Sequence, residues 1–439
     1  MIPVLTYSVA PDRARAESLL TSLKLNPSEV ALSKGDRAAA VTAVTAILTD
    51  IATRGDDALV DSSRKFDDPN FTEDQIRVTP DEMRSASTRV PPDLKSALKR
   101  AIAQVREYQT HVLPNEPTTL KRPGVELGLR FTPLDSAGLY VPGGKASYPS
   151  SLIHLAVPAQ VAGVKQIVAT TPPSKYGRSD LVLAAAHELN LDHLIRAGGP
   201  AAIAALAFGT QSAPRVDKIV GPGNTYVQLA KRALAGCVGI DGYLGPSEIL
   251  TLADDTGNPR YIASDLIAQA EHDPGSCFLL TTSESLARQV IEELTRQLKQ
   301  RHRAAAISKA LDQSSAILLS DDLNELIAYA NQFAAEHVNL QVQNPDEVLK
   351  TLVNAGAIFI GPHSPVAAGD YVAGPSHCLP TNTTARFSSG ISVYEFLKRS
   401  SLVRYTPQGL AHDAPAIIAL AQAEHLDGHA ASIESRQSD

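Results

Sequence analysis

From about residue 125 onward, the sequence alternates short β-rich runs with Ala-rich stretches of helical period, and this alternation limits the fold more than any other feature. Each β-rich run is closed by Gly, Pro, Ser or Thr. Strands that alternate with helices favour parallel sheets with helices on both faces, so the sequence predicts an α/β fold. The predicted strands are Gly138–Val141, Gln166–Thr170, Leu194–Ala197, Lys218–Val220, Ile249–Ala253, Phe278–Thr281, Ala316–Leu319 and Ala357–Ile360.

The regions on either side of this alternation have a different pattern. Residues 11–112 carry apolar residues at helical spacing, as in Arg37–Ala52 and Pro92–Ala103, and predict a mostly helical region. Beyond residue 391 the pattern indicates only a short helical tail, with one helix over Asp413–Glu424. Such a tail is too small to fold alone.

Composition excludes several classes of protein. The 439 residues allow two or three domains, and 40 Lys and Arg against 47 Asp and Glu give a net charge of −7, which argues against nucleic acid as a partner. Cys237, Cys277 and Cys378 form no C-x-x-C pair, so we expect free thiols in a reducing compartment. The N-terminus lacks a signal-peptide pattern and no apolar run reaches membrane-spanning length, so the sequence predicts a cytoplasmic protein without membrane contact.

Three glycine turns lie at the ends of predicted strands. They are Tyr140-Val-Pro-Gly-Gly, Ala197-Gly-Gly-Pro, and the turn that opens Val220–Lys231. Backbone amides in such turns approach phosphates at helix N-termini. Because Pro222 cannot donate an amide hydrogen, a tight structural turn and a nucleotide site are evenly matched for the third turn. Three turns in one region together suggest a long ligand at the carboxyl ends of the strands.

Gln269 and His272 are candidate metal ligands. They stand three residues apart on a run that is helical in pattern and stops at Pro274-Gly275, so they would share one face at a helix end. An imidazole and an amide oxygen one turn apart can bind a divalent metal. On this segment alone, a solvated polar helix end is the favoured interpretation.

Glu336 and His337 are candidate acid–base groups. The helical run from Asp322 predicts that they end a helix, where adjacent side chains point in different directions. His has a pKa near neutrality and Glu can activate water, so the two could act as separate proton acceptors. A solvated helix terminus is the competing interpretation, and these residues alone favour it.

Asp370 and His377 lie in Gly356–Thr381, the loop with the densest Gly and Pro content. Such a loop follows a fixed path, which holds side chains in place for ligation. Ser247 closes the turn Gly245-Pro-Ser-Glu, where a structural role is favoured over a ligand contact.

These stretches form one colinear series from about residue 35 to the end of the chain. The series comprises Y-V-P-G-G, G-P-G-N-x-Y-V, G-P-S-E, A-Q-A-E-H-D, E-H, G-D-Y-V-A-G-P-S-H-x-L-P-T, A-R-F-S-S-G and E-x-L-x-x-H. Each motif is weak alone, but their order and number make chance a poor explanation. The sequence resembles the histidinol dehydrogenase family, zinc- and NAD-dependent enzymes of the last two steps of histidine biosynthesis.

The resemblance implies roles for individual residues. It implies one zinc ion per subunit, held by Gln269, His272, Asp370 and His429. It implies acid–base roles for Glu336 and His337, and NAD contacts for Tyr140 and Asn224. Substrate contacts fall to Ser247, Gln269, His272, His337, Asp370, His377, Glu424 and His429. One carboxylate, two imidazoles and an amide make a mixed nitrogen and oxygen site suited to zinc.

The resemblance also implies an architecture. We expect two Rossmann-like parallel-sheet domains, one inserted in the other, with an N-terminal helical arm and a small C-terminal tail domain. The chain would form a homodimer whose tail contributes to the partner's site. The expected bounds are 1–34 for the arm, 35–139 and 249–391 for the first domain, 140–248 for the second, NAD-side domain, and 392–439 for the tail.

The reaction implied is oxidation of L-histidinol to L-histidine through L-histidinaldehyde, with two NAD. The sequence departs from the family pattern at Ala201, His154-Leu155, Leu244 and His425, all around cofactor and substrate rather than at the metal ligands. One alternative is therefore a zinc- and NAD-dependent enzyme of the same fold that acts on another small polar primary alcohol. Glu424 disfavours a sulfonated alcohol, because a carboxylate repels a sulfonate. A binding protein without turnover is the other alternative, and the intact Glu336-His337 pair disfavours it.

Overall fold

The structure is a computed structural model that describes residues 2–26, 37–144, 146–272 and 275–437. Fifteen strands lie within these ranges. They are β1 (Val4–Thr6), β2 (Arg77–Val78), β3 (Leu120–Arg122), β4 (Val125–Pro133), β5 (Ser136–Tyr140), β6 (Gln166–Thr171), β7 (His193–Arg196), β8 (Lys218–Val220), β9 (Gly239–Ile240), β10 (Ser247–Ala253), β11 (Gly275–Thr281), β12 (Ala316–Leu319), β13 (His337–Gln341), β14 (Ala357–Ile360) and β15 (Leu397–Tyr405).

The same ranges contain seventeen α-helices and three short 3₁₀ helices. The α-helices are α1 (Ala10–Leu23), α2 (Arg37–Arg54), α3 (Asp56–Phe66), α4 (Pro80–Arg89), α5 (Pro92–His111), α6 (Pro149–Ala162), α7 (Asp180–Glu188), α8 (Gly199–Phe208), α9 (Thr225–Leu234), α10 (Pro259–Ala270), α11 (Glu284–Leu298), α12 (Ala304–Gln313), α13 (Leu323–Phe333), α14 (Pro345–Leu349), α15 (Val366–Tyr371), α16 (Pro407–Ala423) and α17 (Asp427–Glu434). The 3₁₀ helices are Glu73–Gln75, Thr384–Arg386 and Val393–Phe396.

Two six-stranded sheets carry the fold. The first sheet has the order β1-β12-β11-β10-β13-β14, and all its neighbouring strands are parallel. The second has the order β2-β7-β6-β5-β8-β9, in which only the β2–β7 pair is antiparallel. β5 and β11 are buried at every residue because helices cover both faces of each sheet. The predicted α/β class is confirmed, and each predicted strand is present with bounds within three residues.

The chain order of the strands shows one unit inserted in the other. All strands of the second sheet lie between β1 and β10. Two predicted boundaries are wrong. β1 pairs with β12, so the N-terminal segment completes the first sheet instead of forming a separate arm. Residues 37–111 and β5 belong with the second sheet rather than the first, since Val44 and Leu59 share a core with Tyr140, whereas β3 and β4 lie in a third, three-stranded sheet. Helical periodicity shows which residues are buried but not which sheet buries them.

The C-terminal tail contains a strand that the sequence pattern does not reveal. β15 pairs antiparallel with β4 along nine residues, and β3 extends this small third sheet. All but the first residue of β15 are exposed, so the alternation that normally indicates a half-buried strand is missing. The helices α16 and α17 follow and pack on each other. The tail is therefore a strand and a helical pair, not helix alone.

Two simpler expectations can be compared with the structure. Cys237, Cys277 and Cys378 are all free, as predicted. Among the described residues, no helix combines the length and apolar character needed to cross a membrane.

Candidate active site

The amino ends of the first sheet carry most of the candidate groups. Ser247 is the first residue of β10, and His337 is the first residue of the neighbouring β13. Gln269 and His272 come just before β11, on the other side of β10. The candidate groups of this sheet therefore lie at the amino ends of its strands, and not at the carboxyl ends where the sequence placed a ligand.

The helix predicted to end at Glu336 and His337 stops earlier. α13 ends at Phe333, because Ala334 adopts a left-handed backbone with φ +49° and terminates the helix. Glu336 follows in the connection, and His337 begins a fully buried strand. The helix-end placement is thus a wrong prediction. A strand in the middle of a sheet holds both residues more firmly than a frayed helix terminus would.

Glu336 is buried beneath β10. Its Oε2 accepts a hydrogen bond from the Ser247 hydroxyl at 2.5 Å and another from the Glu248 backbone N–H at 2.9 Å. Burial raises the pKa of Glu336 well above its usual range, and the nearby carboxylates of Glu248 and Asp370 add to the rise, while its two hydrogen bonds oppose it. A buried carboxyl group that holds a proton at higher pH is suited to proton transfer.

His337 is oriented by the same neighbour. Its Nδ1 lies 3.1 Å from the carbonyl oxygen of Glu248, and since a carbonyl only accepts, Nδ1 carries the hydrogen. Nε2 is buried without a hydrogen-bond partner among the described residues. Burial lowers the pKa of His337 to about 3, with smaller contributions from His272 and His377. The ring is therefore neutral, with a free lone pair on Nε2.

Gln269, His272 and Asp370 are the candidate metal ligands outside the tail, and Asp370 and His272 are near enough to shift the pKa values of Glu336 and His337, respectively. Gln269 lies in the last turn of α10 with its Nε2 buried and unpartnered, as far as the described residues show. His272 follows the end of that helix as predicted, and its pKa is lowered, chiefly by burial. Asp370 lies in α15 and not in a loop as predicted, and burial raises its pKa to about 6. No group of three or more His, Cys, Asp or Glu side chains positioned for a metal occurs in the described part of the chain.

His377 joins the two units at this site. Its Nδ1 donates to the backbone carbonyl of Asp370 at 2.9 Å, and its Nε2 lies 3.0 Å from the Ser151 hydroxyl on α6 of the second unit. The ring of His154, one turn further along α6, packs on the His377 ring with 4.6 Å between ring centroids. Burial lowers the pKa of His377 to about 4, so this ring is also neutral.

The carboxyl ends of the second sheet provide the predicted cofactor residues. Tyr140 ends β5, and its hydroxyl accepts the Gly199 N–H at 3.3 Å. Burial raises the pKa of Tyr140 to about 12, so it remains a phenol with a hydrogen to donate. Asn224 caps α9, and its Oδ1 accepts the N–H groups of Tyr226 and Val227 at 3.0 and 3.2 Å. The amide group of Asn224 is thereby held at the surface of the turn.

Glu424 and His429 are not brought to this site within one chain. Both are exposed on the tail, and among the described residues no hydrogen bond or ion pair connects their side chains with Glu336, His337 or Asp370. The other predicted site residues lie outside the tail, in the segments that form or connect the two six-stranded sheets.

Sequence reasoning missed three residues that shape the site. Glu248 orients both acid–base groups through its backbone, whereas Ser151 and His154 contact His377. Backbone contacts leave no signal in residue type. A signal for the other two existed, because Ser151 and His154 stand three residues apart on a helical run and so share a face.

One parallel-sheet unit inserted in another, with a buried Glu–His pair on the first sheet, has the architecture of a two-domain α/β oxidoreductase. The family model for histidinol dehydrogenase matches residues 31–437. The histidinol dehydrogenase of Synechococcus sp. is 44% identical over 393 residues, spanning 89% of this chain and 91% of the relative. That of Agrobacterium fabrum is 45% identical over 391 residues, spanning 89% and 90%. The chain belongs to the histidinol dehydrogenase family.

A solved structure shows the same fold. The crystal structure of histidinol dehydrogenase from Elizabethkingia anophelis superposes with a TM-score of 0.87 at 35% sequence identity, and the match covers 90% of this chain and 91% of that one. The resemblance noted from motifs is thus confirmed over nearly the whole chain.

Proposed function

We propose that this protein oxidises L-histidinol to L-histidine through L-histidinaldehyde, with zinc and two molecules of NAD. The observation that carries the proposal is the Glu336–His337 centre. One side chain is a carboxyl group with a raised pKa, and its neighbour is a neutral imidazole whose Nε2 is buried and unpartnered within the described chain. The two consecutive oxidations of an alcohol to an acid require two proton acceptors of this kind.

His337 is suited to the alcohol. Because Nδ1 donates to the Glu248 carbonyl, only Nε2 can accept the proton of the substrate hydroxyl. The ring accepts a proton at each oxidation, and the fixed tautomer keeps Nε2 aimed at the substrate. When bound, NAD would accept the hydride at each step, and zinc would orient the imidazole and amine of the substrate.

Glu336 is suited to the hydration step between the two oxidations. Its Oε2 is occupied by Ser247 and the Glu248 amide, which leaves Oε1 for a water molecule that adds to the aldehyde. The carboxylate must be ionised to take a proton from that water. Because burial raises the pKa of Glu336, its carboxyl group in the free protein ionises only at higher pH. A bound cation would favour the ionised form and shift this ionisation to lower pH.

The residues present fit a zinc ion. Gln269 has a buried amide nitrogen without a partner among the described residues, its amide oxygen would be the ligand atom, and His272 and Asp370 would add a nitrogen and an oxygen ligand. Of these three residues, only His272 and Asp370 are of the types His, Cys, Asp or Glu. This accounts for the absence of a metal-binding group of three such residues within the described chain. His429 would supply the fourth ligand from another subunit.

The assay for this function is NADH formation on adding L-histidinol to protein of known zinc content, with His272→Asn beside it. We expect two NADH per histidinol, and loss of zinc and turnover together in His272→Asn, with the circular dichroism spectrum retained. Turnover of a different small polar primary alcohol in place of histidinol would favour the alternative substrate. Pure active protein without zinc or a substitutable divalent ion would contradict the metal assignment.

We further propose a homodimer in which each tail completes the partner's site. Glu424 and His429 are exposed, and no described hydrogen bond or ion pair joins them to the other candidate groups. The tail also exposes two large apolar side chains, Val403 on β15 and Leu420 on α16. In a symmetric dimer the same patch on both copies can cover them reciprocally.

Mixed dimers test this arrangement. His337→Asn and His429→Asn chains, each inactive alone, are unfolded together and refolded. If tails cross, one site of each mixed dimer carries both defects and the other carries none, so activity returns to roughly a quarter of the wild-type value because half the dimers are mixed. If each tail serves its own subunit, no activity returns. The second result would contradict the shared site and leave the metal assignment in place.

A further inference from the structure

A buried ion pair lies behind the glycine turn of the second sheet, outside the groups used for proton transfer. Lys231 on α9 and Asp241 after β9 bond through Nζ and Oδ1, and each side chain is only 1% exposed. Burying two charges costs desolvation free energy that a surface pair avoids. The contacts of the pair show what it holds in place.

Both polar groups of Gly221 are bound by this ion pair. The Gly221 N–H donates to Asp241 Oδ2 at 2.7 Å, and Lys231 Nζ donates to the Gly221 carbonyl at 3.0 Å. Gly221 has φ +127°, and a Cβ there would lie 2.2 Å from the carbonyl oxygen of Tyr140. The pair therefore presses the turn against Tyr140, one of the two residues predicted to contact NAD.

The rest of the turn depends on the same neighbourhood. Gln228 Nε2 donates to the carbonyls of Gly223 and Leu244 at 3.3 and 2.8 Å, and the Gly223 N–H donates to Leu244 at 3.4 Å. Asn224, the other predicted NAD contact, follows directly. Residues 221–224 leave the sheet after β8, and the described hydrogen bonds to their backbone come from α9 and from the segment that starts at Asp241.

We propose that Lys231 and Asp241 are positioning residues for the dinucleotide, which hold the Gly221–Asn224 turn at a fixed distance from Tyr140. The proposal rests on the use of NAD proposed above. Ordering a flexible turn when a ligand binds costs free energy and weakens binding. A turn that is already held in one conformation avoids this cost. Neither residue contacts the reacting atoms.

The test variant is Lys231→Met with Asp241→Asn, which removes both charges together and leaves no unpaired buried charge. NAD binding is measured by isothermal titration calorimetry, and zinc content and histidinol affinity are measured on the same samples. We expect the dissociation constant for NAD to rise about tenfold or more. Zinc content and histidinol affinity should stay within about twofold, because their residues belong to the first sheet.

A matched control pair exists in the same sheet. Lys218 on β8 and Glu395 bond at 2.5 Å and are largely buried, and no described bond joins either side chain to the Gly221–Asn224 turn. Lys218→Met with Glu395→Gln should lower thermal stability and leave NAD affinity unchanged. Wild-type NAD affinity in the Lys231/Asp241 variant, or an equal loss in the control, would overturn the proposal.

Two further results are distinguishable. If the double variant does not fold, Lys231→Met alone is compared with Lys218→Met, since Asp241 then keeps its backbone donors Gly221 and Gly242 at 2.7 and 2.9 Å. The same tenfold difference in NAD affinity is expected, and equal affinities would overturn the proposal. Absence of NAD binding by the wild-type protein would instead contradict the cofactor assignment itself and remove the positioning role with it.

Discussion

The first sheet carries candidate acid–base residues at the amino ends of its strands, whereas the second sheet carries candidate cofactor residues at the carboxyl ends of its strands. The first contributes ionisable side chains, with Ser247 and His337 at strand starts. The second contributes backbone in glycine turns, at Gly199 and Gly221. The proposed proton-transfer groups and the proposed cofactor surface thus belong to separate units.

This difference shows why the two halves respond to different substitutions. On the first sheet, the chemistry depends on which atoms a side chain offers, so an isosteric change of one atom is enough to stop it. On the second sheet, the proposed NAD surface is backbone, so we expect an added methyl group to matter more than a changed functional group. The predictions below separate the two kinds of dependence.

The largest effect is expected at His337. His337→Asn removes the lone pair of Nε2, so histidinol oxidation should fall by roughly 10² to 10⁴. NAD affinity should remain at the wild-type value, because the cofactor surface belongs to the other sheet. Stopped-flow measurement of the first NADH and calorimetric titration with NAD check the two halves separately.

Glu336→Gln is the companion variant. It should mainly slow oxidation of the aldehyde, for which water must be activated, and leave oxidation of the alcohol less affected. Rates from histidinol and from histidinaldehyde are compared in both variants. Equal losses in all four measurements would contradict the division of roles between the two residues.

The sequence predicts those features of the structure that depend on neighbouring residues, but not those that depend on contacts between distant residues. The α/β class and the predicted strands follow from local alternation, which needs no partner. β15 was missed because it is exposed along nearly its whole length, and β13 was missed because its five buried residues continue a helical run. Assignment of residues 37–139 to the wrong sheet has a third cause, since periodicity does not identify the packing partner.

The candidate site shows the same limit. Gln269 and His272 could be placed at a helix end from spacing alone, whereas the loop predicted for Asp370 is a short helix. Nothing in the residues predicts that Glu248 orients Glu336 and His337, because it acts through its backbone N–H and carbonyl. Such contacts depend on strand register, which a single sequence does not show.

A smaller effect is expected in the second sheet, at Gly221. Gly221→Ala forces a Cβ to within 2.2 Å of the Tyr140 carbonyl at φ +127°, so the turn must shift. We expect NAD affinity to fall about tenfold and the free energy of unfolding to fall by about 1–3 kcal/mol, with zinc content unchanged. Gly236→Ala is the control, because Gly236 has φ +94° but open space around its Cβ position. An equal loss of NAD affinity in Gly236→Ala would show that backbone strain in general, and not contact with Tyr140, causes the effect.

The smallest effect concerns the buried carboxyl group of Glu248 on the first sheet. Its Oε1 accepts the Asn382 N–H at 3.0 Å, its Oε2 has no partner within the described residues, and burial raises its pKa from 4.5 to about 8. Between these pH values the folded state holds a proton that the unfolded state releases. The stabilisation is therefore complete below pH 4.5 and is lost as pH rises through about 8. Glu248→Gln keeps the acceptor without titrating, so its melting temperature should fall less between pH 5 and pH 8 than that of the wild type. Parallel melting curves for the two proteins across this range would show that Glu248 does not titrate there.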